Sequence, residues 1–148
     1  MSCRVVNETV FVILAELLEK CVEETVRVYG KGEEIFCSLV LVEPEKIQTF
    51  NEKYYDKKGV TDVLTFESDE ENYAGDIIIC PAFIKEKITA DGGPRDAAEG
   101  EDSFEWEMCH VTVHGTLHLL GIHHEEAGED YQKLHEQEKD IINKVLNK

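Results

Sequence analysis

No stretch of this chain approaches the ~18–20 consecutive apolar residues that a membrane-spanning helix requires, so no membrane partner is expected. The opening run MSCRVVNETV lacks a basic segment followed by an apolar core. A secretory signal is therefore not expected, and the cytoplasm is the default compartment. Cysteine pairing motifs are missing as well. Cys3, Cys21, Cys37, Cys80 and Cys109 are odd in number, scattered and without C-x-x-C, and they read as small buried apolar residues in a reducing compartment. Positive charge is scarce: 15 Lys and Arg stand against 32 Asp and Glu, a formal net charge of −17. That balance excludes broad, non-specific affinity for nucleic acid, which depends on Lys and Arg displacing counterions. A nucleic-acid substrate would need a local basic patch. The best candidate is Lys53-Tyr54-Tyr55-Asp56-Lys57-Lys58, for which the alternative is a solvated helix end.

What is present suffices for one folded domain, residues 1–148, with a real core. A first strand is expected at Arg4–Val6 and a helix from Asn7, its N-cap, to Tyr29, with Val10, Leu14, Leu17, Leu18, Cys21 and Val22 on a wide apolar stripe. The β-branched run Ile35–Val42 predicts a strand, and Pro44 opens a helix to about Tyr55. Val60–Phe66 and Asp76–Cys80 predict two strands joined across the acidic loop at 67–71, with Pro81 starting a short helix. The Gly-rich, charged stretch 91–102 reads as a mobile loop. A helix is expected from about Ser103, with Asp102 and Glu105 arranged like a capping box, and a last amphipathic one over Glu129–Leu146. The order β-α-β-α-β-β-α-α-α implies an α+β domain with a mixed sheet and packed helices.

The chemistry-bearing run is HGTLHLLGIHH. His114 and His118 are four apart and project from one helix face about a turn from each other. Gly121 can end that helix in the left-handed conformation, and the chain then turns His124 toward the first two. Three neutral imidazoles hold Zn²⁺ while leaving a fourth position for water, which points to hydrolysis rather than a structural clip. The spacing H-x₃-H-x₂-G-x₂-H is similar to the metzincin zinc signature. However, the residue after the first His, the general-base Glu of zincins, is Gly115 here. A Met-turn is missing too, because Met1 and Met108 both precede the third ligand. The metal frame is present without peptidase machinery.

Asp62, Asp76, His123 and Glu125 are candidate proton acceptors. For Asp62 and Asp76 the plainer reading is a strand-end hydrogen-bond anchor or an outer partner of a ligating His. His110, a turn before His114, reads as an outer or packing residue, His135 as solvated, and Trp106 as core. Cys109, five residues before His114, falls off the ligand face.

Several separated blocks resemble the YbeY family of bacterial rRNA maturation factors and endoribonucleases. HGTLHLLGIHH is similar to its H-G-x-L-H-L-x-G-[YF]-D-H, Thr61–Phe66 (TDVLTF) to its T-D-V-L-S-F, and Gly75-Asp76-Ile77 to its G-D-I; Asn51 and Tyr54 match the start of a preceding block. The resemblance implies His114, His118 and His124 as ligands of one zinc per chain. It also implies metal-dependent cleavage of single-stranded RNA in 3′-end maturation of small-subunit (16S) rRNA and in ribosome quality control. Single-stranded rRNA and the small ribosomal subunit would be the partners; no DNA is expected. The chain departs from the family at Tyr55, where an Arg stands, and at His123, where an Asp stands. The competing expectations are a zinc-stabilised assembly factor without catalysis and a peptidase-like hydrolase on the same frame.

Overall fold

The structure is a computed structural model and describes residues 2–30, 34–90, 104–122 and 129–146. The order of elements is the expected one: β1 (Ser2–Asn7), α1 (Ala15–Tyr29), β2 (Phe36–Leu41), α2 (Pro44–Tyr54), β3 (Val63–Glu67), β4 (Tyr73–Ile79), α3 (Pro81–Ala90), α4 (Phe104–Leu119) and α5 (Glu129–Val145). The sheet runs β1-β2-β4-β3. β1 and β4 lie parallel to β2, and β3 is antiparallel to β4, so the sheet is mixed and β3 is an edge strand.

Strand alternation divides the core. Leu39, Leu41, Ile77 and Ile79 face α1 and α4, joining Leu18, Met108 and Val111 in one cluster. The alternate residues Leu64 and Ile78 face α2 and pack with Val42 and Ile47. Helix α4 is apolar around most of its circumference because it packs on several neighbours at once. It contacts the sheet at β3 and β4 and packs beside α1, with α5 against it through Leu134, Ile141 and Ile142. Each fully buried aliphatic side chain here contributes roughly 1.5–3 kcal/mol. No helix of the described residues is long and apolar enough to cross a membrane.

One local expectation needs correction. Helix α1 begins at Ala15, not at Asn7. Asn7 does act as a cap, but of a turn: its Oδ1 accepts from the Thr9 amide at 2.9 Å and its Nδ2 donates to Phe11 O at 2.8 Å. That Asx turn outcompetes the helix over the next residues, and Val10 and Leu14 stay exposed instead of lining the stripe. The expected loop at 91–102 and the capping residues before Phe104 lie outside the described residues.

Candidate metal centre and its cleft

His114 and His118 project from α4 with their Nε2 atoms 3.0 Å apart. Two nitrogens bonded to one zinc at about 2.0–2.1 Å in a tetrahedral shell stand roughly 3.3 Å apart, so the pair already has ligand spacing. The opposite ring nitrogen of His114, Nδ1, lies 3.0 Å from Glu138 Oε2. A carboxylate there accepts a hydrogen bond from Nδ1–H and leaves Nε2 with its lone pair free for a cation, the usual support for a ligating imidazole. The donor set therefore fits zinc. The third expected ligand, His124, and the candidates His123 and Glu125 lie outside the described residues.

The helix ends as the motif predicts. Gly121 has φ +81°, its amide donates to His118 O at 3.0 Å, and the Ile122 amide donates to Leu117 O at 2.9 Å. This pair of bonds turns the chain back immediately after the second histidine. The structure also explains Gly115. It is buried against the sheet, and a Cβ there would stand 2.9 Å from Ile77 Cγ2 and 3.4 Å from Thr65 Cγ2. The position that carries the base in zincins is here the contact point between helix and strands. Gly115→Val is expected to destabilise the fold by about 1–3 kcal/mol through overpacking, read as a lower urea midpoint at unchanged slope.

The two histidines open on a cleft of about 780 Å³ along the outer edge of β3. Its other wall is the end of α2 and the following loop, with Asn51, Tyr54, Tyr55 and Lys57. Asn51 is buried and donates from its side-chain Nδ2 to Gly59 O at 3.2 Å, while its backbone carbonyl accepts from the Tyr55 and Lys57 amides at 3.1 and 3.3 Å. One residue, through its backbone and its side chain together, thus ties down the loop that carries the basic and aromatic groups. The Tyr54 and Tyr55 rings meet Phe66 edge-on at 5.4 and 5.7 Å, and Lys53 Nζ lies 5.2 Å from the Tyr54 ring centre. The Tyr55 hydroxyl donates to Thr65 O. Tyr54, Tyr55 and Lys57 of the Lys-Tyr run therefore line the histidine cleft, so the run is not merely a solvated helix end.

The candidate acids separate. Asp62, just before β3, lines a second pocket of about 350 Å³ together with His110, His114, His135 and Glu138. Its backbone carbonyl also anchors the strand end, accepting from the Cys80 amide at 2.9 Å. Asp76 is adjacent to Ile77 and so points to the other face of the sheet, where it accepts from the Tyr73 hydroxyl. The structure does not bring it to the histidines.

Three residues beside the centre extend the sequence reading. His135 is not solvated: it is half-buried, with Nδ1 3.4 Å from Glu138 Oε1. His110 Nε2 lies 3.6 Å from the same oxygen. Glu138 itself is 1% exposed, and it had a signal: it interrupts an apolar stripe of Leu134, Ile141 and Val145 on α5. Burial opposes the charge on Glu138, but hydrogen bonds from His110 and His114 hold its carboxyl well below the usual carboxylate range. Burial likewise opposes the charge on His110, and hydrogen bonds to Glu107 and Glu138 override it, raising its pKa to about 9. His110, His135 and Glu138 form, among the described residues, a group able to hold a metal ion. Trp106 is core, as expected, and Cys109 is buried away from the ligand face.

A family model described as endoribonuclease YbeY matches residues 7–146. A Thermotoga maritima protein named endoribonuclease YbeY is 30% identical over 133 residues, covering 90% of this chain and 81% of its own length. A Vesicomyosocius okutanii protein of the same name is 33% identical over 137 residues, covering 89% and 84%. The solution structure of a Thermotoga maritima protein superposes with a TM-score of 0.66 at 27% identity, over 98% of this chain and 89% of that one.

Proposed function

The chain belongs to the endoribonuclease YbeY family, and we propose that it is a zinc-dependent, single-strand-specific endoribonuclease of the cytoplasm. Its work in this reading is 3′-end maturation of small-subunit rRNA and ribosome quality control, with the small ribosomal subunit as partner. One observation carries the reading: His114, His118, Lys57 and the Tyr54 and Tyr55 rings line a single cleft. A ligand pair beside a cation and stacking surfaces suits a single strand, whose bases are free to stack and whose phosphates need a local positive charge. The positive charge matters more because the chain as a whole is strongly acidic.

His114, His118 and His124 would hold the zinc. When bound, the ion supplies Lewis-acid chemistry, polarising a phosphoryl oxygen and acidifying water. The chain's own residues do the rest. Lys57 attracts the backbone, and the tyrosines orient flanking bases. Tyr55 offers one neutral donor where the family's Arg would clamp a phosphate with two, and its hydroxyl is already engaged with Thr65 O, so grip on the substrate falls to Lys57 and stacking. Among the described candidate acids, Asp62 is the one proposed to accept the proton from attacking water, since it shares a pocket with His114 while Asp76 faces away.

The test is direct. Zinc-loaded protein is incubated with single-stranded RNA, the same RNA annealed to its complement, and casein. Cleavage of the single strand alone is expected. Intact RNA with co-sedimentation on small subunits would instead favour an assembly factor, and cleaved casein a peptidase.

A further inference from the structure

His110 and His135 stand next to the histidine centre without a part in it, and Glu138, which supports His114 through Oε2, turns its other oxygen toward them. We propose that the three residues form a second divalent-cation site, distinct from the one at His114 and His118. Their ligand atoms all lie within 4.8 Å of one another. Glu138 Oε1 is 3.4 Å from His135 Nδ1 and 3.6 Å from His110 Nε2. Neighbouring ligands on one tetrahedral zinc stand roughly 3.3 Å apart, so both imidazoles already stand near ligand spacing from the carboxylate.

Two further observations point the same way. The ring nitrogen of His110 that faces away from Glu138, Nδ1, has Glu107 Oε2 at 3.8 Å. That is ion-pair distance rather than a hydrogen bond, and it places a carboxylate on the side of the ring from which a metal-ligating histidine is oriented. The group also opens on the 350 Å³ pocket, lined in addition by Asp62 and Lys87, which supplies a path of entry and room for further ligands. The framework is preformed: Glu107 and His110 sit one turn apart on α4, His135 and Glu138 one turn apart on α5, and the two helices pack together. Two imidazoles and a carboxylate suit Zn²⁺, with Co²⁺ and Ni²⁺ as competitors.

Glu138 belongs to both centres. Oε1 faces the second site, and Oε2 is 3.0 Å from His114 Nδ1. Occupancy of the second site therefore bears on the histidine that supports the first. The opposing account is a buried carboxylate held by three imidazoles with no ion at all.

The experiment counts metal rather than activity. Chelator-stripped protein is titrated with zinc against a chromophoric competitor, and equivalents are confirmed by native mass spectrometry. Wild type, His135→Ala, His110→Gln and His118→Ala are compared, with circular dichroism to establish folding. Two equivalents are expected in wild type. His135→Ala and His110→Gln each lose one, and His118→Ala loses the other while retaining the second-site ion. A single equivalent in wild type that survives in His135→Ala and His110→Gln overturns the proposal, as does a second equivalent unaffected by either. A single equivalent lost in His135→Ala but kept in His118→Ala would uphold this site and remove the three-histidine centre on which the nuclease reading depends.

Discussion

In His118→Ala, the zinc proposed for the three-histidine site and the proposed cleavage of single-stranded RNA are expected to disappear together. His118 offers Nε2 at 3.0 Å from the Nε2 of His114. Removing it leaves an imidazole pair incomplete in a site that needs three protein ligands and an open position. The loss of activity should exceed the ~10–100-fold that removal of an outer carboxylate partner costs, because a ligand itself is gone. Stability of the metal-free protein should change little, since the side chain is only half-buried and its loss leaves no closed cavity. Paired RNA time courses and metal analysis check this. A His118→Ala protein that cleaves RNA at the wild-type rate removes the residue from the mechanism.

The part of that centre which the structure describes, the His114–His118 pair, was legible in the residues. The four-residue spacing of His114 and His118 needs only a helix, and α4 supplies it. Gly121 needs only a left-handed turn, which its φ of +81° provides. Periodicity likewise located the elements, because each strand or helix buries a face whose spacing is written in the chain. Alternation around Asp76 and Ile77 decides which face each residue takes, but only pairing with β2 and β3 reveals which face meets α4. The failures have local or tertiary causes. At Asn7 a side chain bonded its own neighbouring backbone and delayed α1. At His135 the sequence offered no relation to the motif, because the relation runs across the α4–α5 contact. Gly115 read as a missing base, whereas its physical role is the close approach of α4 to Ile77. The Lys-Tyr run left two readings open until the fold set it opposite the histidines across the edge of β3.

Glu138 carries the other large effect, and replacing it with glutamine should show it in two separable ways. The carboxylate is 1% exposed and faces the imidazoles of His114, His135 and His110 at 3.0, 3.4 and 3.6 Å. A glutamine amide presents a donor as readily as an acceptor, so Nδ1 of His114 is no longer compelled to carry the proton. Zinc affinity at the histidine centre is expected to fall by about 10–100-fold for that reason. The stability effect is different and depends on pH. In the metal-free protein His110 has its pKa raised to about 9 from an ordinary 6.5. A raised folded-state pKa means the charged form is favoured by folding, so the contribution is complete below pH ~6.5 and disappears as pH climbs through 9. Glu107 accounts for part of the shift and remains in the variant. Glu138→Gln should therefore cost about 2–3 kcal/mol at pH 6 and much less at pH 9.5, where His110 is neutral in both proteins. Urea unfolding in the presence of chelator at the two pH values measures the difference. An equal cost at both would mean that Glu138 acts by packing and hydrogen bonding alone, without a charged His110 beside it.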